Sequence, residues 1–217
     1  TMINGTFDWA YEEEFYCRDG FRWSPDSKSI GYWQIDASSI KKFTMINNTE
    51  SIYPKVIPIE YPKVGEEPSV CKVGVVTIAD AKTTWINVPG VANQNYIVRM
   101  DFIPNTNNLI IQQLNRKQNQ SNLYVAEAAN GNAKLINKEI DAAWIDVFVL
   151  GDPYDIYYTN NFTWTNNNKS ILWASEKDGW RHLYQISLDG KSEKLVTKGN
   201  FDVIDVKHTD NENGYVY

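Results

Sequence analysis

The sequence is poor in the residues that build metal sites and disulfide frameworks. Its 217 residues include only two cysteines, Cys17 and Cys71, and two histidines, His182 and His208. Two cysteines are too few for a disulfide framework, and these two lack the clustered spacing of a zinc site. We therefore expect buried thiols, with a single bridge as the alternative, and histidines that are structural or on the surface. No metal or cofactor is predicted.

Long apolar runs and an excess of positive charge are also lacking. No run of about 18 apolar residues occurs, so no membrane segment is predicted in this chain. The formal charge of −6 and the pI near 5.0 argue against a nucleic-acid partner, because phosphate-binding surfaces cluster Lys and Arg. The acidity instead suits a cationic ligand.

Sequence signatures of catalysis are missing as well. A serine hydrolase of the α/β-hydrolase class needs a Gly-x-Ser-x-Gly pentapeptide, which presents the nucleophile on a strained turn between a strand and a helix. The sequence contains no such pentapeptide, no His-x-x-x-His spacing, no phosphate-binding glycine loop and no EF-hand pattern. We therefore expect these 217 residues to be inactive as a hydrolase on their own and to act by recognition.

The sequence does contain a degenerate repeat, in which an aromatic or apolar strand meets a polar turn and then a second apolar strand. The dipeptides Asn130-Gly131 and Asp189-Gly190 suit two-residue hairpin turns, because they accept positive φ. The first three copies are each followed by a second hairpin. The four copies span residues 21–34, 100–113, 162–175 and 203–217, and the second hairpins join 73–78 to 85–88, 122–126 to 133–136 and 182–188 to 192–196.

Four strands per unit are the signature of a β-propeller blade. We therefore predict an all-β fold, a single partial β-propeller domain over residues 1–217 with about three to four antiparallel four-stranded blades. Long helical periodicity is missing, since apolar segments such as Leu109–Leu114 are short and bounded by turns. A β-sandwich is the alternative architecture.

The longest interruption of the repeat runs from Ile35 to Val70. It contains Tyr-Pro-Lys twice, and its prolines at 54, 58, 62 and 68 each remove a hydrogen-bond donor from a strand ladder. A central strand is thereby excluded. The segment 35–70 is predicted to be a projecting arm or edge ribbon, and a loop folded onto its own blade is the alternative.

Three contiguous carboxylates lie near the start of the chain, within the run Asp8–Phe15 (DWAYEEEF). Their mutual repulsion requires a compensating cation. Neighbouring side chains on a helix differ in direction by about 100°, so a short helical turn can aim Glu13 and Glu14 into one cavity while its aromatic residues form the base. Such a pair would hold an ammonium group. A solvated acidic turn is the alternative.

This run and four further segments resemble the dipeptidyl peptidase IV family of serine exopeptidases. In that family an Asp-Trp-x-Tyr-Glu-Glu-Glu motif on the propeller supplies two glutamates that bind the free N-terminal amine of the substrate, and the matching residues are Glu13 and Glu14. The resemblance also places Phe148 near the extended substrate subsites, although Phe148 equally fits a core position. In the family an arginine lies beside this phenylalanine, and Val149 occupies that position in this sequence. The further segments are Phe21–Tyr32, Tyr53–Lys55, Tyr61–Gly65 and Ser175–Tyr184.

The resemblance implies the propeller portion of a dipeptidyl peptidase IV-like serine exopeptidase, which gates access for a peptide substrate with a free N-terminus and Pro or Ala at its second position. The family's propeller has eight blades and precedes an α/β-hydrolase domain, which is absent from residues 1–217 and would supply the serine triad. The arm would contribute to a homodimer, and bacterial members are exported to the periplasm or cell surface. A non-catalytic propeller that binds protein partners is the alternative function.

Overall fold

The computed structural model of the chain describes residues 1–147 and 162–217. It is nearly all β, with 46% strand and 5% helix, which confirms the predicted fold class. Its one α-helix within these ranges is α1 (Trp9–Phe15), and a 3-10 turn covers Ala92–Gln94. The strands of the described ranges are β1 (Met2–Asn4), β2 (Phe21–Trp23), β3 (Ser29–Asp36), β4 (Lys42–Asn47), β5 (Lys55–Glu60), β6 (Val70–Thr77), β7 (Thr83–Trp85), β8 (Asn95–Phe102), β9 (Asn108–Asn115), β10 (Gln120–Glu127), β11 (Ala133–Ile140), β12 (Thr163–Thr165), β13 (Ser170–Ser175), β14 (His182–Ser187), β15 (Glu193–Leu195), β16 (Thr209–Asp210) and β17 (Tyr215–Val216).

Three antiparallel sheets form the blades of a partial propeller. The first has the order β1-β3-β6-β7, and β2 pairs with β3 beside β1. The second has the order β11-β10-β9-β8, and the third has the order β12-β13-β14-β15. The predicted hairpins are therefore present, with two differences. β16 and β17 are only two residues each, and residues 203–208 form no strand. The predicted two-residue turns are wrong: residues 128–131 and 188–191 form longer loops, because the N–H of Glu127 donates to the carbonyl of Asn132 and that of Ser187 to the carbonyl of Ser192.

The middle blade is buried on both faces. The side chains of Leu109 and Ile111 on β9 join the apolar cluster that the second blade shares with the first, around Trp33 and Val73. Ile110, between them, points to the other face and joins a cluster shared with the third blade. Because side chains alternate along a strand, an uninterrupted apolar run supplies both faces of a sheet that lies between two others.

The segment predicted as an arm contains an antiparallel ribbon of β4 and β5, whose strands pair with each other and with no other described strand. Pro58 lies within β5 opposite Thr44. A ribbon of two edge strands tolerates proline because only one side of each strand takes part in the ladder. The two ends of the predicted segment belong to the first blade, since β3 continues through Asp36 and β6 begins at Val70.

The two cysteines and the buried histidine are structural in the described part of the chain. Cys17 and Cys71 are free and buried, as expected from the sequence. Burial raises the pKa of Cys17 to about 11 and that of Cys71 to about 12, so both thiols are protonated at neutral pH. His182 is buried, and its Nδ1 lies 2.8 Å from Oδ2 of Asp178. The described helices include none that is long and apolar enough to cross a membrane.

Candidate amine-binding site

The acidic triplet lies on the short helix α1, in the stretch of chain between β1 and β2. The helix begins after Asp8, whose carboxylate accepts a hydrogen bond from the backbone N–H of Tyr11 at 3.1 Å. It ends at Phe15, because Tyr16 adopts the left-handed conformation (φ 56, ψ 29) and the N–H of Cys17 returns to the carbonyl of Tyr11 at 3.1 Å. Both ends of the helix are therefore capped.

Aromatic side chains fix the inner face of α1 to two blades. Tyr11 and Phe15 are four residues apart, so they lie on one face, and both are buried. The Tyr11 hydroxyl accepts a hydrogen bond from the N–H of Ile97 on β8 at 3.1 Å. Trp33 on β3 donates its indole N–H to the carbonyl of the same residue at 2.9 Å, and the ring of Phe7 lies against Trp33 and Tyr11. The helix is thus held where the first blade meets the second.

The outer face of α1 presents the glutamates. Glu13 and Glu14 are exposed, whereas Glu12 is half-buried. The Nη1 atom of Arg18 lies 3.6 Å from Oε2 of Glu12 and 4.0 Å from Oε1 of Glu13. Burial raises the pKa of the Tyr96 hydroxyl, and the nearby charge of Glu14 adds to that rise. Arg18 therefore flanks Glu12 and Glu13, and the ring of Tyr96 packs against Phe15 on the inner face.

A second arginine supports the C-terminal end of α1. Arg99 on β8 is buried, and its Nη1 donates hydrogen bonds to the carbonyls of Phe15 at 2.9 Å and Val98 at 2.7 Å. A cation at this end stabilises a helix because the last carbonyls carry partial negative charge. Burial lowers the pKa of Arg99, since the interior disfavours the charged form.

The base of the ribbon also touches α1. The ring of Trp9 lies 4.3 Å from the ring of Tyr61, centre to centre, and Tyr61 in turn lies 5.9 Å from Phe43 on β4. The two tyrosines of the repeated Tyr-Pro-Lys motif therefore differ in role. Tyr61 packs between the ribbon and the helix, whereas Tyr53 is 82% exposed near the tip.

Two of the three predicted site residues lie within the described part of the chain. Glu13 and Glu14 are consecutive on one anchored helix, with both carboxylates open to solvent. Phe148 lies outside the described residues, as does Val149. Within residues 1–147 and 162–217, no group of three or more His, Cys, Asp or Glu side chains is arranged to hold a metal ion. The arrangement is suited to binding a cation from solvent.

The antiparallel sheets, two of them four-stranded, define a propeller-type domain, and α1 lies where the first sheet meets the second. The family model described as the dipeptidyl peptidase IV N-terminal region matches residues 1–217. The chain belongs to that family.

Relatives of the chain carry the same family name. It is 26% identical over its whole length to the "Probable dipeptidyl peptidase 4" of Emericella nidulans and 24% identical to the dipeptidyl peptidase 4 of Trichophyton rubrum. The crystal structure of Porphyromonas gingivalis dipeptidyl peptidase 4 superimposes with a TM-score of 0.84 and 28% identity, over 97% of this chain and 28% of that one. The chain spans 29% and 28% of the two curated relatives.

Proposed function

We propose that this chain is the substrate-recognising propeller portion of a dipeptidyl peptidase IV-like serine exopeptidase, and that Glu13 and Glu14 bind the N-terminal amine of the peptide. The observation that carries the proposal is the pair of exposed carboxylates on a helix held by buried hydrogen bonds. The α-amino group of a peptide has a pKa of about 7.7–8.0 and is largely protonated at neutral pH. Two carboxylates supply charge-assisted acceptors for it, at about 2.7–2.9 Å.

Rigid anchoring of α1 explains how amine binding would restrict the parent enzyme to cleavage near the N-terminus of a peptide. A fixed amine site sets the distance from the N-terminus to the bond that is cut, and it rejects peptides whose N-terminus is blocked or extended. Tyr11 and Arg99 provide that rigidity, because each forms a buried hydrogen bond between the helix and β8. The serine triad would come from a hydrolase domain of the parent protein, and residues 1–217 alone should release no dipeptide.

A blocked substrate tests this proposal in the full-length parent protein. Acetylating the amine of an Ala-Pro reporter removes the positive charge and the donors, so two charge-assisted hydrogen bonds of about 1.5–3 kcal/mol each are lost. We expect kcat/KM to fall by roughly 100-fold or more. An N-methyl Ala-Pro reporter is the control, because it keeps the charge and should be cleaved far better. Equal turnover of the acetylated and free reporters would contradict the proposal.

We also propose that the ribbon of β4 and β5 takes part in a homodimer. Its apolar side chains are unusually open, with Ile52 96% and Tyr53 82% exposed near the tip. Exposed apolar surface of this kind marks an interaction site.

Export to the periplasm or the cell surface stays a prediction.

Shortening the ribbon tests the proposed dimer. Removing residues 45–57 leaves Phe43, Tyr61 and the packing against Trp9 in place, so we expect a monomer with an intact fold. Sedimentation velocity of the full-length protein measures the change. A wild type that is already monomeric at micromolar concentration would contradict the dimer.

A further inference from the structure

Arg18 places a permanent positive charge at the edge of the candidate amine site. Because Tyr16 turns the chain back at the end of α1, Arg18 returns to within 3.6 Å of Glu12 and 4.0 Å of Glu13, although it follows them by six and five residues. Its side chain is 43% exposed, so the guanidinium faces the solvent from which a peptide would enter. A guanidinium remains charged at every physiological pH.

The position of this charge relative to a bound peptide follows from two distances. An ammonium held at about 2.8 Å from the Glu13 carboxylate lies within about 7 Å of the Arg18 guanidinium. The ammonium itself is common to all substrates, so its repulsion by Arg18 does not discriminate among them. The side chain of the first peptide residue begins one carbon away from the amine, and its charged end stays within the screening length of about 8–10 Å.

We infer that Arg18 is a specificity-determining residue, which favours peptides with an acidic first residue and disfavours those with a basic one. The inference rests on the proposed function, because it needs the amine at Glu13 and Glu14. The competing interpretation is an ion pair that only neutralises Glu12, the nearer carboxylate. Such a solvated pair would affect all substrates alike.

The size of the effect follows from Coulomb's law at this separation. In a solvent-like dielectric, a charge on the first side chain that comes as near to Arg18 as the ammonium, about 7 Å, changes an equilibrium constant by roughly threefold, and less solvent between the charges increases the factor. Exchanging an acidic for a basic first residue reverses the sign of the interaction, so the two factors multiply. We expect Arg18 to contribute roughly tenfold to the preference for Glu-Pro over Lys-Pro.

The experiment compares kcat/KM of the full-length parent protein on Glu-Pro, Gln-Pro and Lys-Pro reporters. In Arg18→Met, the Glu-Pro to Lys-Pro ratio should fall by roughly tenfold, with Arg18→Gln as a second neutral variant. Arg18→Lys keeps the positive charge, so its Glu-Pro to Lys-Pro ratio should be close to that of the wild type. In 0.5 M salt the wild-type ratio should decrease towards one, because the screening length is then about 4 Å. Lys191→Met is the matched control, because Lys191 is an exposed cation on the turn between β14 and β15. The Glu-Pro to Lys-Pro ratio of this variant should equal that of the wild type.

The results separate the inference from the proposal on which it rests. If both neutral variants alter all three substrates by the same factor, or leave the ratio unchanged, the role of Arg18 is overturned. If Glu13→Gln and Glu14→Gln also leave kcat/KM unchanged, the amine site itself is overturned. A loss of activity in the glutamate variants with an unchanged ratio in the arginine variants would remove the inference and keep the site.

Discussion

Replacing Glu13 or Glu14 with Gln in the full-length parent protein is expected to lower kcat/KM for an Ala-Pro reporter by roughly 10- to 150-fold. Each substitution keeps the shape of the side chain and removes one charged acceptor, worth about 1.5–3 kcal/mol to the bound ammonium. The fold should be unaffected, because both side chains are exposed and the helix is held by its opposite face.

Glu12→Gln is the matched control for these variants. Glu12 is the neighbouring carboxylate of the same helix, but it is half-buried and paired with Arg18. Its replacement should change kcat/KM by less than roughly threefold, because both members of the Glu12–Arg18 pair remain in contact with solvent, which weakens the pair. Unchanged kinetics in both Glu13→Gln and Glu14→Gln would remove the amine-binding role, and an equal loss in all three variants would indicate a general effect of the acidic charge.

The largest expected effect on stability is that of Tyr11→Ala, which should lower the free energy of unfolding by about 3–5 kcal/mol. The ring of Tyr11 is fully buried and stacks on Phe7, and its hydroxyl accepts the hydrogen bond from Ile97. Tyr11→Phe keeps the ring but leaves that N–H without its partner, so its cost should be about 1–3 kcal/mol. Urea denaturation followed by circular dichroism measures both values.

Tyr16→Phe is the control for the two Tyr11 variants. Tyr16 is exposed at the end of the same helix, and the loss of its hydroxyl should change the free energy of unfolding by no more than about 0.5 kcal/mol. A cost below about 1 kcal/mol for Tyr11→Ala would mean that α1 is not anchored through this residue.

The blades could be predicted from the sequence because their signals are local. Turn dipeptides such as Asn130-Gly131 and Asp189-Gly190 indicate where the hairpins reverse, and both glycines adopt positive φ in the structure, at 78° and 73°. They did not predict the length of the loops, which exceeds two residues. The apolar residues of the segment Leu109–Leu114 predicted a strand but not the strands and blades that cover it. Its burial on both faces depends on the first and third blades, which lie far away in the sequence.

The two arginines near α1 could not be predicted in their roles. Arg18 reaches the glutamates only because Tyr16, a residue that rarely adopts positive φ, reverses the chain after the helix. Arg99 lies within a strand pattern, and it meets the carbonyl of Phe15 only when two blades pack together. The acidic triplet indicated that a cation was needed nearby, but the pattern did not show which one.

The most direct test of the central claim combines the glutamates with the substrate amine in one cycle. In the wild-type parent protein, kcat/KM for free Ala-Pro should exceed that for acetyl-Ala-Pro by roughly 100-fold or more, because the free ammonium alone is recognised. In the double variant Glu13→Gln/Glu14→Gln, the ratio should fall to roughly tenfold or less, because the charged acceptors that bind the ammonium have been removed. A double variant that keeps the wild-type ratio would show that other residues bind the amine and would contradict the account.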